Sequence, residues 1–93
     1  MIEDIKKRAV HRSKIARGQF DALVSAIEDE NYCIDILTQS LAIQKSLRSL
    51  NKLVLENHLQ THVKEGMSEG TDEEKEKLLQ ELLQLYELSN VRG

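Results

Sequence analysis

Apolar residues recur every three to four positions along most of this 93-residue chain, the spacing that gathers them on one face of an α-helix. Three helices are expected. The first runs from about Ile2 to Glu28, with Ile5, Ala9, Ile15, Ala16, Leu23 and Ile27 near a 3.6-residue rhythm. The cluster Glu28-Asp29-Glu30-Asn31 interrupts it, and Asn31 is placed to cap the helix that follows. Gly18 falls inside the first helix at a modest propensity cost. The second helix is expected to run unbroken from about Tyr32 to Glu65, where Gly66 supplies a left-handed stop. Its apolar set includes Ile34, Ile36, Leu37, Leu41, Ile43, Leu47, Leu50, Leu53, Val54, Leu59 and Val63. A polar loop from Met67 to Glu74 follows, in which Met67 is a bystander and Thr71 or Asp72 is the cap. A third helix, about Glu73 to Ser89, carries Leu78, Leu79, Leu82, Leu83, Leu85, Tyr86 and Leu88.

Composition agrees with an all-α, single-domain reading over residues 1–93. Pro is absent, Gly occurs four times, and the aromatics are Phe20, Tyr32 and Tyr86, so the apolar stock is aliphatic. Collagen-like, disulfide-framed and disordered classes are excluded. No stretch approaches the roughly 18 consecutive apolar residues of a membrane span, and no signal peptide opens the chain, so no membrane partner is expected. One Cys closes no intrachain disulfide, and a cytoplasmic address follows. A second helix of some 34 residues would reach roughly 50 Å. So short a chain leaves its apolar stripes uncovered, which predicts an obligate helical dimer and a higher even oligomer.

Charge adds a local feature. Residues 1–18 hold six basic side chains against two acidic ones, whereas the remainder holds seven against fourteen. The overall −3 therefore conceals a basic first helix, a binding face for an anion. Lys7, Arg12, Lys14 and Arg17 lie on that helix, and Arg48 and Lys52 lie one turn apart on the second. The bland alternative is a solvated helix face. His11, set among the cations, reads as a surface side chain or as part of that anion-binding face.

The candidate chemistry rests on Cys33, His58 and His62. Cys33 opens the second helix, and helix N-termini stabilise thiolates, the form that binds metals. His58 and His62 stand at i, i+4, so their imidazoles leave one face and suit one metal ion. Cys33 and His58 are 25 residues apart, roughly 37 Å along a straight helix, and cannot share a ligand within one subunit. If two second helices pair antiparallel, Cys33 of one lies beside His58 and His62 of the other. Two equivalent sites of one sulfur and two nitrogens then bridge the dimer.

Tyr32-Cys33, followed by Asn57-His58-Leu59-Gln60-Thr61-His62, resembles the copper-sensitive operon repressor and nickel/cobalt-efflux repressor family. So does Arg12-Ser13-Lys14-Ile15-Ala16-Arg17-Gly18-Gln19 in the first helix. The resemblance implies three-helix protomers in an antiparallel dimer, assembled as a dimer of dimers. It implies a homotetrameric repressor that binds double-stranded operator DNA when free of effector and leaves it when effector binds. Tyr32 is then a packing residue or a hydrogen-bond partner of the ligands, and Glu81 the acidic partner from the third helix. The family's basic positions match Arg12, Lys14 and Arg17, but Ser49 stands at a family Arg position, leaving Arg48 or Lys52 to substitute.

Departures from the family's branches narrow the effector. The persulfide branch uses two Cys, and this chain has one. The formaldehyde branch has Pro at the second position, where Ile2 stands. The nickel/cobalt branch adds a His near the amino end; Met1 and Ile2 occupy that region, and His11 is too far along. The copper branch has Tyr before a Cys-His-Cys set, and His62 replaces its last Cys. Cu(I) is the favoured effector, since a thiolate with two imidazoles suits it, with Ni(II), Co(II) or Zn(II) as alternatives. An aldehyde or redox sensor using Cys33 is the runner-up. A metal-buffering helical protein that never touches DNA is a rival class. An enzyme is not expected, because no Gly-rich loop or acid–base trio accompanies Cys33.

Overall fold

The computed structural model describes residues 1–63 and 69–89, without the side chains of Val63 and Ser89. Its regular elements in those residues are all helical: α1 spans Glu3–Glu28, α2 spans Cys33–His58, a π-helical turn spans Leu59–Val63, and α3 spans Asp72–Ser89. The chain divides into two compact units, residues 1–57 and 58–93.

The first unit is an antiparallel hairpin of α1 and α2. Ser46 Oγ donates to Gln19 Oε1 at 2.7 Å, and the Ile2 N–H donates to Asn57 Oδ1 at 2.9 Å, which sets the antiparallel register. On α1 the shielded positions are Ile2, Ile5, Ala9, Ala16, Gln19, Leu23 and Ala26. On α2 they include Ile36, Gln39, Ile43, Ser46, Leu50, Leu53 and Asn57. Both lines step by threes and fours, the seam of a two-helix coiled coil. Arg12 stands at the heptad position on the α1 line but is exposed. Ile15 and Ile27, counted in the apolar rhythm of the first helix, lie off that seam and are 46% and 54% exposed. A seam of period 3.5 takes Gln19 and Ala26 in preference to them. Gly18 has open space where a Cβ would stand, so nothing within the protomer demands glycine there.

The joint between the helices is tighter than expected. Asn31 does not cap α2. Its N–H donates to the Ala26 carbonyl at 2.9 Å, and the Glu30 N–H donates to Ile27 O at 3.0 Å. That pair of bonds is a Schellman closure, with Glu30 as the left-handed residue at φ 52°. Committing Asn31 to closing α1 shifts the start of α2, where the Asp35 and Ile36 N–H groups both donate to Tyr32 O.

Neither does α2 continue unbroken to Glu65. Its α-helical geometry ends at His58 and passes into the π turn. The β-branched Thr61 and Val63 are weak helix formers near a helix end, where the α-helical rungs are least constrained. Glu65, Gly66 and Met67 lie outside the described residues. In the second unit, Thr71 caps α3 with a reciprocal pair: the Glu74 N–H donates to Thr71 Oγ1 at 3.2 Å, and the Thr71 N–H donates to Glu74 Oε2 at 3.4 Å. Asp72, Glu73 and Glu74 in the first turn complement the helix dipole. Lys75, Leu78 and Leu82 form its shielded line.

The cores are thin. Among the described residues the buried apolar ones are Ile5, Ala9, Ala16, Ala26, Ile43 and Leu53, of which three are alanines. Leu37, Leu41, Leu83 and Leu88 are each more than half exposed.

Candidate metal centre and nucleic-acid interface

An α-helix turns by roughly 100° per residue, so 25 residues complete nearly seven turns. Cys33 and His58, at the two ends of α2, therefore emerge on one line along the helix. Between them that line passes Leu37, Ser40, Gln44, Leu47, Asn51 and Val54, again in steps of three and four. It is a second heptad stripe, distinct from the seam that faces α1. Leu37, Leu47 and Val54 on it are 57%, 37% and 45% exposed. α2 thus has two apolar faces, and its hairpin partner covers one.

Cys33 is an exposed free thiol at the first residue of α2, and Tyr32 before it is also exposed. At the other end, the rings of His58 and His62 lie 5.2 Å apart between centroids and are tilted by 43°. They are neighbours across the junction between α2 and the π turn, a rare local geometry that recurs at functional sites. Two imidazoles so close can direct a nitrogen each toward a common point. The Glu81 carboxylate of α3 lies 3.8 Å from His58 Nε2. That is beyond hydrogen-bond length and becomes an ion pair only when the imidazole is protonated. Among the described residues no three His, Cys, Asp or Glu side chains converge on one point of the protomer.

The predicted cations Lys7, Arg12, Lys14 and Arg17 are all exposed along α1, as are Arg48 and Lys52 on α2. Lys7, Arg8, His11, Arg12 and Ile15 line one shallow depression. Lys6, Lys14 and Arg17 border another, floored by Ala9, Val10, Leu50 and Val54. Lys6 and Arg8 thereby join the basic face, although Arg8 is also paired with Asp4 at 3.8 Å. On α2 the exposed Lys45 extends the line of Arg48 and Lys52 by one turn. Spacing alone could have found Lys45, since it stands at i−3 from Arg48.

Comparison with known proteins identifies the family. Residues 5–87 match the metal-sensitive transcriptional repressor family. The chain belongs to that family. Among its relatives is the copper-sensing transcriptional repressor CsoR of Mycobacterium ulcerans, 40% identical over 60 residues, which are 64% of this chain and 51% of that protein. CsoR of Bacillus subtilis is 32% identical over 53 residues, 57% of this chain and 52% of its own length. The chain thus spans about half the length of these curated relatives. The crystal structure of the copper-sensing repressor CsoR with Cu(I) from Geobacillus thermodenitrificans superposes with a TM-score of 0.76 at 32% identity. That match covers 92% of this chain and 88% of the other. The family is one of transcriptional repressors, which is not an enzymatic class. No helix among the described residues is long and apolar enough to cross a membrane.

Proposed function

We propose that the protein is a cytoplasmic, Cu(I)-responsive transcriptional repressor that binds operator DNA when metal-free and releases it when metal binds between subunits. The observation that carries this reading is the second stripe of α2, because it is self-complementary. Turned antiparallel about a dyad between Lys45 and Ser46, the stripe sets Leu37 opposite the partner's Val54 and Gln44 opposite the partner's Leu47. Ser40 then faces the partner's Asn51, and Cys33 faces the partner's His58. One two-fold operation would thus cover Leu37 and Leu47 and complete a ligand set at both ends.

The donors fit Cu(I). One thiolate from Cys33 and two imidazoles from the partner's His58 and the partner's His62 supply a soft, three-ligand set. The chemistry that bound Cu(I) supplies is a tie between the ends of two α2 helices. Tyr32 and Glu81 would orient the ligands by hydrogen bonding, since groups just outside a metal's ligands set ring orientation and affinity. The copper-sensing names of the relatives favour Cu(I) over Ni(II), Co(II) or Zn(II).

The DNA face is the basic surface of α1, with Lys7, Arg12, Lys14 and Arg17, extended by Arg48 and Lys52 on α2. Two hairpin dimers associating as a homotetramer would multiply these contacts on one duplex. No aromatic side chain interleaves with the cations, so phosphate contact and groove shape should dominate binding. A coupling of about 1–3 kcal/mol between the two ligands is enough to switch an operator.

The deciding experiment titrates reduced, metal-free protein with Cu(I), Ni(II), Co(II) and Zn(II) under anaerobic conditions, beside Cys33→Ser, and follows duplex binding in parallel. One Cu(I) per protomer with thiolate charge-transfer absorbance, lost in Cys33→Ser, together with release of DNA, is the expected result. Tight binding of another metal in place of Cu(I) would reassign the effector. Absence of tight binding by every metal would refute the metal-sensing reading and turn attention to a covalent adduct on Cys33. Failure of the metal-free protein to hold duplex DNA would leave a metal-buffering protein.

A further inference from the structure

Asn57 is the one buried polar residue among those described. Its Oδ1 accepts the Ile2 N–H at 2.9 Å across 55 positions of sequence. Ile2 is the extended residue from which α1 starts, at ψ 127°, and no side chain caps the helix there. Its carbonyl in turn accepts the Lys6 N–H at 2.9 Å. Ile2 is therefore held on both sides, by Asn57 through its N–H and by the first turn of α1 through its C=O. The cations Lys6, Lys7 and Arg8 follow immediately.

At its other end Asn57 directly precedes His58, the last residue of α2. Successive residues on a helix point roughly 100° apart, so Asn57 faces the α1 seam while His58 lies on the Cys33 stripe. Both side chains leave the last turn of α2. A backbone rotation of that turn that re-aims His58 would carry the Asn57 amide with it. The π turn that follows breaks the regular α-helical rungs at this point, so the last turn of α2 is less firmly constrained than its middle.

We infer that Asn57 is a positioning residue that ties the last turn of α2 to the first turn of α1, so that the ligand state of His58 is expressed as the pose of Lys6, Lys7 and Arg8. This inference rests on the repressor reading above and adds to it the route by which the two surfaces communicate.

The test measures duplex affinity with and without Cu(I), beside Cu(I) stoichiometry, for wild type, Asn57→Ala and Asn57→Asp. Wild type should show a ratio between the two affinities of about 5–150-fold. Asn57→Ala should keep wild-type stoichiometry while its ratio falls to about 1. Asn57→Asp keeps the acceptor oxygen and should restore release. An Asn57→Ala protein that Cu(I) releases as fully as wild type would overturn the inference. So would an equal loss of DNA affinity in both states, which a merely structural role produces. If Asn57→Ala does not fold, amide exchange at Ile2 in the wild-type protein decides: faster exchange on Cu(I) loading supports the link, and an unchanged rate overturns it. A wild-type protein that does not bind duplex, or is not released by Cu(I), refutes the repressor reading itself, and with it this one.

Discussion

Glu30→Gly should stabilise the protein, and the gain can be separated into two parts. Glu30 closes α1 from the left-handed region at φ 52°, which costs a residue with a Cβ about 1–2 kcal/mol. Glycine removes that strain but gives back about 0.5–1 kcal/mol through its more disordered unfolded state. The net is about 0.5–1 kcal/mol. A second part comes from charge. Glu28, Asp29 and Glu30 crowd the C-terminal end of α1, whose last turn contains no basic residue, and the helix dipole disfavours anions there. Removing one exposed carboxylate is worth a few tenths of a kcal/mol at low salt. Glu30→Gln isolates the charge effect, so the difference between Gly and Gln isolates the backbone strain. Thermal unfolding by circular dichroism, at fixed protein concentration, should place Gly above Gln by about 2–8 °C for a chain of this length. A Gly variant no more stable than the Gln variant would refute the left-handed closure as a source of strain.

Three further outcomes follow from other parts of the structure. Ile43→Ala empties a 3% exposed seam position and should destabilise the fold by about 2–4 kcal/mol, seen as a lower denaturant midpoint; a loss under about 1 kcal/mol would mean that the seam is drawn wrongly. Gln39 Oε1 is buried with no hydrogen-bond partner among the described residues, so Gln39→Leu should raise stability by about 1 kcal/mol in the same assay, and a decrease would show that the amide is satisfied in solution. Arg12→Ala should weaken duplex binding and lower the slope of log affinity against log salt by about 0.9 for each phosphate the side chain neutralises, with metal stoichiometry unchanged. An unaltered slope would remove Arg12 from the DNA face.

The helices were readable from the apolar rhythm because propensity, periodicity and the absence of Pro all agreed. What the rhythm concealed was that α2 carries two interleaved stripes. Ile43 and Leu53 belong to one, while Leu37 and Val54 belong to the other, and a plain run of apolar residues merges them. The seam also includes Gln19, Gln39, Ser46 and Asn57, whose polarity hides their place in it. Ile15 and Ile27 misled for the complementary reason: they are apolar, near the helical period, and off the seam. Asn31 has the chemistry of an N-cap, yet tertiary geometry uses its backbone N–H to close the helix before it, with Glu30 where glycine is usual. The π turn has no marker in composition, since it depends on how backbone rungs rearrange near a helix end. At the site, the spacing of Cys33, His58 and His62 shows which side chains share a face. The nearness of Glu81 on α3 to His58 at the end of α2 is a contact between distant positions, which no local pattern encodes.

The alanines of α1 have a consequence for abundance. Ala9, Ala16 and Ala26 are buried on the seam, but each brings little apolar area to it. A hairpin of such small side chains that pairs with a copy of itself, as proposed above, would have its folding linked to association. Its unfolding midpoint should therefore climb with total protein, as mass action requires when folding and association are linked. Below some copy number the protomers would be lost to unfolding and proteolysis, before any effector arrives. The stability of the regulator would then set a floor on how sparingly a cell can keep it, and dilution would silence it as effectively as metal.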